Sequence, residues 1–203
     1  MILNGMVQRR LTPHFDLIQH LQDMKQDFET VGIYTGFVRQ LLAEYLEHPD
    51  LLAVECYYSE HVVRIIILPA PTDFGKVLGQ GGRGLDALKV LLNEKGALDG
   101  DRVELKLAEP ENRVPVERRD RHVNNSWGAS DDQRIGQILT RILDQTVRIS
   151  AEIIIKPSPI DTTLTIRPNN GDKISLNAAT ALNTIFRAIG SKHGRRITVN
   201  ARH

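Results

Sequence analysis

Asp73-Phe74-Gly75-Lys76-Val77-Leu78-Gly79-Gln80-Gly81-Gly82-Arg83-Gly84-Leu85-Asp86-Ala87-Leu88-Lys89-Val90-Leu91-Leu92 sets a glycine-rich loop directly against the start of an amphipathic helix. Upstream, Leu51–Tyr58 and Val62–Leu68 are rich in β-branched and aromatic residues and are joined by the polar turn Ser59-Glu60-His61, which reads as a hairpin. Pro69-Ala70-Pro71 separates that hairpin from the loop, and Val103–Leu107 reads as a last strand. Before the hairpin, Phe37, Val38, Leu41, Leu42, Tyr45 and Leu46 recur at helical spacing and stop at His48-Pro49. Residues 33–108 therefore spell the order α-β-β-α-α-β.

A lone glycine-rich loop also serves nucleotide phosphates and plain turns, so the elements on both sides decide its meaning. In this setting Val77-Leu78-Gly79-Gln80-Gly81-Gly82-Arg83 resembles the GxxG loop of KH domains, with Gly79 and Gly82 as the two glycines. Asp73, Gly75-Lys76-Val77, Gly82-Arg83, Ala87-Leu88-Lys89 and Glu47-His48-Pro49-Asp50 are similar to the small bacterial KH-domain RNA-binding proteins of the KhpA type. The resemblance implies a type II KH domain, an α/β (α+β) module whose three-stranded sheet carries its helices on one face. It also implies a role: the loop and helix N-terminal amides meet phosphate, and about four nucleotides lie in a groove. A Cβ at Gly79 or Gly82 would block that approach or demand an unfavourable backbone angle. On this basis Gly79, Gln80, Gly81 and Gly82 form the loop, and Lys76 and Arg83 stand at phosphates. Lys89 joins the RNA-contacting set, and Val77, Leu78, Leu85, Ile65 and Ile67 are expected as an apolar groove floor. The family usually has Lys or Arg where Gln80 stands, which removes about one counterion from the salt dependence.

Outside this segment, Thr12-Pro13 is a helix-start signal, and Phe15, Ile18, Leu21, Met24, Phe28 and Val31 follow at helical spacing until Gly32. Residues 1–32 thus read as an added amphipathic helix that caps the domain or mediates self-association. Residues 109–130, with Pro110, Pro115, Asn124-Asn125 and Gly128, read as a linker with a short basic helix around Val116–Arg121. Trp127 within it is expected to pack on a domain. Residues 131–203 repeat the earlier grammar: a helix marked by Ile135, Ile138, Leu139, Ile142 and Leu143, strands Ile149–Lys156 and Thr162–Arg167, a helix Leu176–Ile189 and a strand Arg196–Ala201. Ala87–Leu92 and Ala181–Phe186 occupy corresponding places, an echo of duplication. Lys173-Ile174-Ser175-Leu176 stand where the glycine loop would be, so this is a degenerate KH-like unit.

The formal net charge of +1 conceals a gradient of −1, −3, 0 and +5 over residues 1–32, 33–108, 109–130 and 131–203. Attraction for polyanions sits in the last segment, where Arg187, Lys192, His193, Arg195, Arg196 and Arg202 gather, and Arg195 and Arg196 are added to the RNA-binding set. Apolar residues make up 41% of the chain, enough for a buried core, yet the longest apolar run, Val62 to Leu68, is broken by Arg64 and is too short to span a membrane. The single cysteine, Cys56, reads as core and fits a reducing compartment, so the protein is expected in the cytoplasm. Seven scattered histidines give no ligand spacing, and no Walker loop, Ser/His/Asp set or paired carboxylates stand out. Neither metal, cofactor nor catalysis is expected. The expected function is single-stranded RNA binding of low sequence specificity. The alternative is a protein adaptor whose partner is another KH-domain protein or the ribosome, with homodimerisation or single-stranded DNA binding also open.

Overall fold

The computed structural model describes residues 13–110, 127–169 and 171–201, with side chains from Met24 onward; the helix expected around Val116–Arg121 lies outside them. The first unit runs α1 (Pro13–Ala43), β1 (Ala53–Ser59), β2 (Val62–Leu68), α2 (Phe74–Leu78), α3 (Arg83–Asp99) and β3 (Arg102–Leu107). The second runs α4 (Ala129–Val147), β4 (Ala151–Pro157), β5 (Asp161–Pro168), α5 (Leu176–Lys192) and β6 (Arg196–Ala201). Each unit has a three-stranded sheet in sequence order, first pair antiparallel and second pair parallel.

Strand alternation sorts each sheet into a buried and an open face. In the first, Val54, Val63, Ile65 and Ile67 are buried, while Glu55, Tyr57 and Arg64 are exposed. Glu60 and His61, at φ 51° and 60°, close the β1–β2 hairpin as a two-residue turn whose left-handed backbone matches the strand twist. Cys56, on the inward side of β1, is half-buried against the core, and burial raises its thiol pKa.

One expectation fails at α1, which does not end at Gly32 but continues to Ala43. A helical glycine costs about 1 kcal/mol relative to alanine. That loss is outweighed because Tyr34, Phe37, Val38, Leu41 and Leu42 continue the helical period and are buried. The chain then turns out of helix at Ala43, before His48-Pro49.

The second unit repeats the first down to its bends. Asp101 N donates to Gly96 O at 2.7 Å where α3 meets β3, and Arg195 N donates to Gly190 O at 2.9 Å where α5 meets β6. A Cβ on Gly96 would sit 2.7 Å from Asp101 O, and one on Gly190 would sit 2.5 Å from Arg195 O. What the second unit lacks is a counterpart of α2. Among the described residues between Pro168 and α5 there is no helix, and Ser175 caps α5 by accepting from Ala178 N at 3.0 Å.

The two units share one continuous apolar core. Their most extensive helix contact is α3 on α5, whose buried residues include Leu88, Leu91 and Leu92 on one helix and Leu182, Ile185, Phe186 and Ile189 on the other. The helices run antiparallel: Ser175, before α5, donates to Glu94 in the last half of α3, whereas Lys192, ending α5, feels the charges of Asp73 and Lys76 just before α3.

Two glycine substitutions should act in opposite directions in thermal or urea unfolding. Gly190→Ala forces backbone apart at the α5–β6 bend and should cost about 2 kcal/mol. Gly32→Ala meets no atom within 4 Å and should stabilise α1 by roughly 0.5–1 kcal/mol; a loss of stability there would contradict the unbroken helix.

Candidate nucleic-acid interface

The glycine loop is held by backbone packed on backbone. α2 ends as Gly79 N donates to Gly75 O at 2.9 Å, and Gly79 takes φ 70°, ψ 173°. A Cβ at Gly79 would lie 2.5 Å from Gly84 N, and one at Gly84 would lie 2.7 Å from Val77 O and 3.2 Å from Leu78 O. Gly84, which the sequence reading passed over, is therefore as necessary as Gly79: the end of α2 crosses the first turn of α3 at these two residues. The signal was present as a further glycine just past the GxxG pair.

Gly81 at φ 63° and Gly82 at φ 82° complete the turn in left-handed conformation, where glycine pays no Cβ penalty. Arg83 folds back on the loop, donating from Nε to Gln80 O at 3.1 Å and from its terminal guanidinium nitrogen to Gln80 Oε1 at 2.8 Å. Gln80, Gly81 and Arg83 are all exposed. No side chain caps the N-terminus of α3, where the Arg83 amide donates to Gln80 O and the positive end of the helix dipole faces the loop.

Behind the loop, Asp73 is fully buried and accepts from Glu47 N at 3.1 Å, His48 N at 2.8 Å and Lys76 Nζ at 2.8 Å. Burial by itself raises its pKa, but the Lys76 hydrogen bond and the His48 and Glu47 amides outweigh that and leave it below the usual carboxylate value. Asp73 thus ties the exit of α1 to α2. Lys76 is less open than expected, because Glu47 Oε1 also holds its ammonium at 2.7 Å. Lys89 sits on α3, 3.9 Å from Asp86.

Part of the expected groove floor is inaccessible. Val77, Ile65 and Ile67 are 0%, 1% and 0% exposed, because they point to the side of the sheet that the helices cover. Leu78 and Leu85, half-buried, remain beside the loop.

Arg195 also differs from expectation. Its guanidinium donates to Thr162 Oγ1 at 2.8 Å, Ser158 O at 2.6 Å, Asp161 O at 3.1 Å and Pro159 O at 3.3 Å, and lies 5.2 Å from the centre of the Trp127 ring. It braces the β4–β5 turn rather than standing open. Trp127 packs as expected, meeting His193 edge-on at 5.4 Å and donating from Nε1 to Asp132 at 2.9 Å. Arg196 is exposed at the start of β6. Arg202 and the basic run Arg118–Arg121 lie outside the described residues.

Among the described residues, no group of three or more His, Cys, Asp or Glu could hold a metal ion, and no helix is long and apolar enough to cross a membrane. An α-β-β-α-α-β unit with one parallel strand pair and a glycine loop between its second and third helices is the type II KH arrangement, so the first unit belongs to a nucleic-acid-binding class. Residues 35–107 match the family model described as "KhpA/KhpB, KH domain", so this segment, about a third of the chain, is similar to the KH domains of that family. No curated protein and no solved structure matched the chain.

Because the folded-state pKa of Asp73 is depressed, its contribution to stability is complete above the unfolded-state value of about 4 and is lost as pH falls through the folded-state value. Asp73→Asn should therefore cost about 2 kcal/mol at neutral pH. In denaturant titrations across pH, the gap between the two proteins should close as pH falls below about 4; a gap constant to the lowest pH would remove the charge-based role.

Proposed function

We propose that the chain binds single-stranded RNA at the Gly79–Gly82 loop, without catalysis and with low sequence specificity. The observation that carries this reading is the crossing of α2 and α3 at Gly79 and Gly84, which leaves Gln80 and Gly81 exposed at an uncapped helix N-terminus inside a KH domain. Loop and first-turn amides take phosphate there, Arg83 supplies the nearest exposed cation, and Leu78 and Leu85 give bases an apolar surface. Lys76 adds to the local field while bound to Asp73 and Glu47. Lys89 lies further along the same helix. A loop reading about four nucleotides has limited affinity and little sequence discrimination.

A protein-adaptor role is the second reading, favoured by α1, where Met24 and Phe28 are 42% and 71% exposed. Exposed apolar side chains on one helix suit a partner such as another KH-domain protein, the ribosome or a second copy of this chain.

The deciding experiment is fluorescence anisotropy with short labelled single-stranded RNA at two salt concentrations, using wild type and the Gln80→Asp/Gly81→Asp variant. A Cβ at Gly81 meets nothing within 4 Å, and aspartate tolerates left-handed backbone better than most residues, so the variant should remain folded. The expected result is salt-sensitive wild-type binding weakened at least about 30-fold in the variant, since two added carboxylates repel phosphate. Equal binding by both proteins would move the site off the loop, and no binding by either would leave the adaptor reading. Equal affinity for single-stranded DNA would remove any role for 2′-hydroxyl contacts.

A further inference from the structure

The two helix–strand bends are built alike and charged oppositely. Gly96 and Gly190 lie against the carbonyls of Asp101 and Arg195, and Gly100 and Gly194 both take left-handed φ, 80° and 65°. This correspondence sets Leu98 against Lys192, Asp99 against His193 and Asp101 against Arg195. The first bend carries two carboxylates where the second carries a lysine, a histidine and an arginine.

Antiparallel packing of α3 on α5 then delivers each bend to the loop end of the other unit. The acidic bend meets the degenerate end of the second unit, where Arg148 of that unit pairs with Asp99 at 2.6 Å. The basic bend comes to the glycine-loop end of the first unit. Burial lowers the pKa of Lys192, Lys76 and Arg134 lower it further, and Glu44 and Asp73 oppose them. Lys76 is matched by Asp73 and Glu47, and Arg134 by Glu44 at 2.8 Å. Lys192 has no such match among the described residues; its ammonium reaches only Ala43 O, at 3.5 Å. An exposed cation with no ion pair of its own among the described residues, its nearest carboxylates already held by Arg134 and Lys76, is where an approaching phosphate gains most.

We propose that the second unit, which has no glycine loop, extends the RNA site of the first in cis: Lys192, with Arg196 and His193 behind it, takes the phosphates of nucleotides beyond those held at Gly79–Gly82. This rests on the loop binding RNA. It gives the duplicated unit a function that needs no loop of its own. The braced Arg195 serves this surface indirectly, fixing the β4–β5 turn and Trp127, against which His193 rests.

The test uses two labelled oligouridylates, of about five and about twelve nucleotides, so that only the longer outruns the loop. Lys192→Glu should weaken the longer RNA by about tenfold and flatten its salt dependence by about one counterion, while changing the shorter RNA less than about twofold. Lys192→Gln should give a smaller loss of the same kind, which guards against a folding defect from the added carboxylate near Glu44. Lys173→Glu makes the same change of net charge at the opposite end of α5 and should leave both affinities within about twofold. Wild-type affinity of Lys192→Glu for the longer RNA, or an equal loss in Lys173→Glu, would overturn the proposal. Gln80→Asp/Gly81→Asp should lose both RNAs; unchanged binding by that variant would instead overturn the loop reading, independently of the Lys192 result.

Discussion

The antiparallel packing of α3 against α5 organises the rest of the molecule. α3 faces its own sheet on one side and α5 on the other, so its buried residues, Ala87, Leu88, Leu91 and Leu92, belong to a core that runs through both units. Neither unit is then an independent module on a tether: removing the second would expose the apolar side of α3 that α5 covers. The same packing fixes the relation between the glycine loop and the second unit, since helices of fixed length and opposed direction place the end of one beside the start of the other. Polar contacts at the C-terminal end of α3, Ser175 to Glu94 and Arg148 to Asp99, hold that register.

Within the first unit, the loop owes its shape to a close approach that only glycine permits. Gly79 and Gly84 let the end of α2 and the start of α3 touch backbone to backbone, and this crossing aims the left-handed turn at Gly81 and Gly82 outward. Asp73 secures the other end of α2. Its carboxylate satisfies two amides at the exit of α1 and one ammonium, so a fully buried charge is paired and hydrogen-bonded as such a group must be. The loop is thereby anchored to the helix that opens the domain rather than to its immediate neighbours alone.

The two units show what a duplicated α/β scaffold keeps and what it can give up. Sheet order, strand register and the glycine at each helix–strand bend are retained, because each is enforced by backbone contact or by the core. Among the described residues the second unit has no counterpart of α2 and its glycine loop, Ser175 caps α5 in their place, and Ile174 is buried in the core there. Surface charge at the bends was free to diverge. In one bend Tyr34 and Tyr58 donate to Asp99 and Asp101; in the other Trp127, Asp132 and Arg195 fill the corresponding space.

Much of this was legible in the amino-acid sequence because it is written in local patterns. Runs rich in β-branched and aromatic residues marked the first hairpin and the strands of the second unit, glycines between an apolar hairpin and an amphipathic helix pointed to the loop and its KH resemblance, and the missing glycines marked the second unit as degenerate. Those signals act through residues a few positions apart. Other features depend on partners distant in the chain: whether Gly32 breaks a helix depends on what Tyr34 to Leu42 pack against, Lys76 is engaged because Glu47 and Asp73 meet, and Arg195 is held by carbonyls of the β4–β5 turn. Val77, Ile65 and Ile67 have the hydrophobicity of a groove floor, and only the position of the helices shows that they form the core. The sequence by itself determined the elements, their order and the loop chemistry, since backbone preference and periodicity are local. The tertiary structure alone decided which cations stay open and brought Lys192 within the field of Asp73 and Lys76, because the direction in which α5 lies on α3 is set by the packing of two faces and by no short stretch of chain.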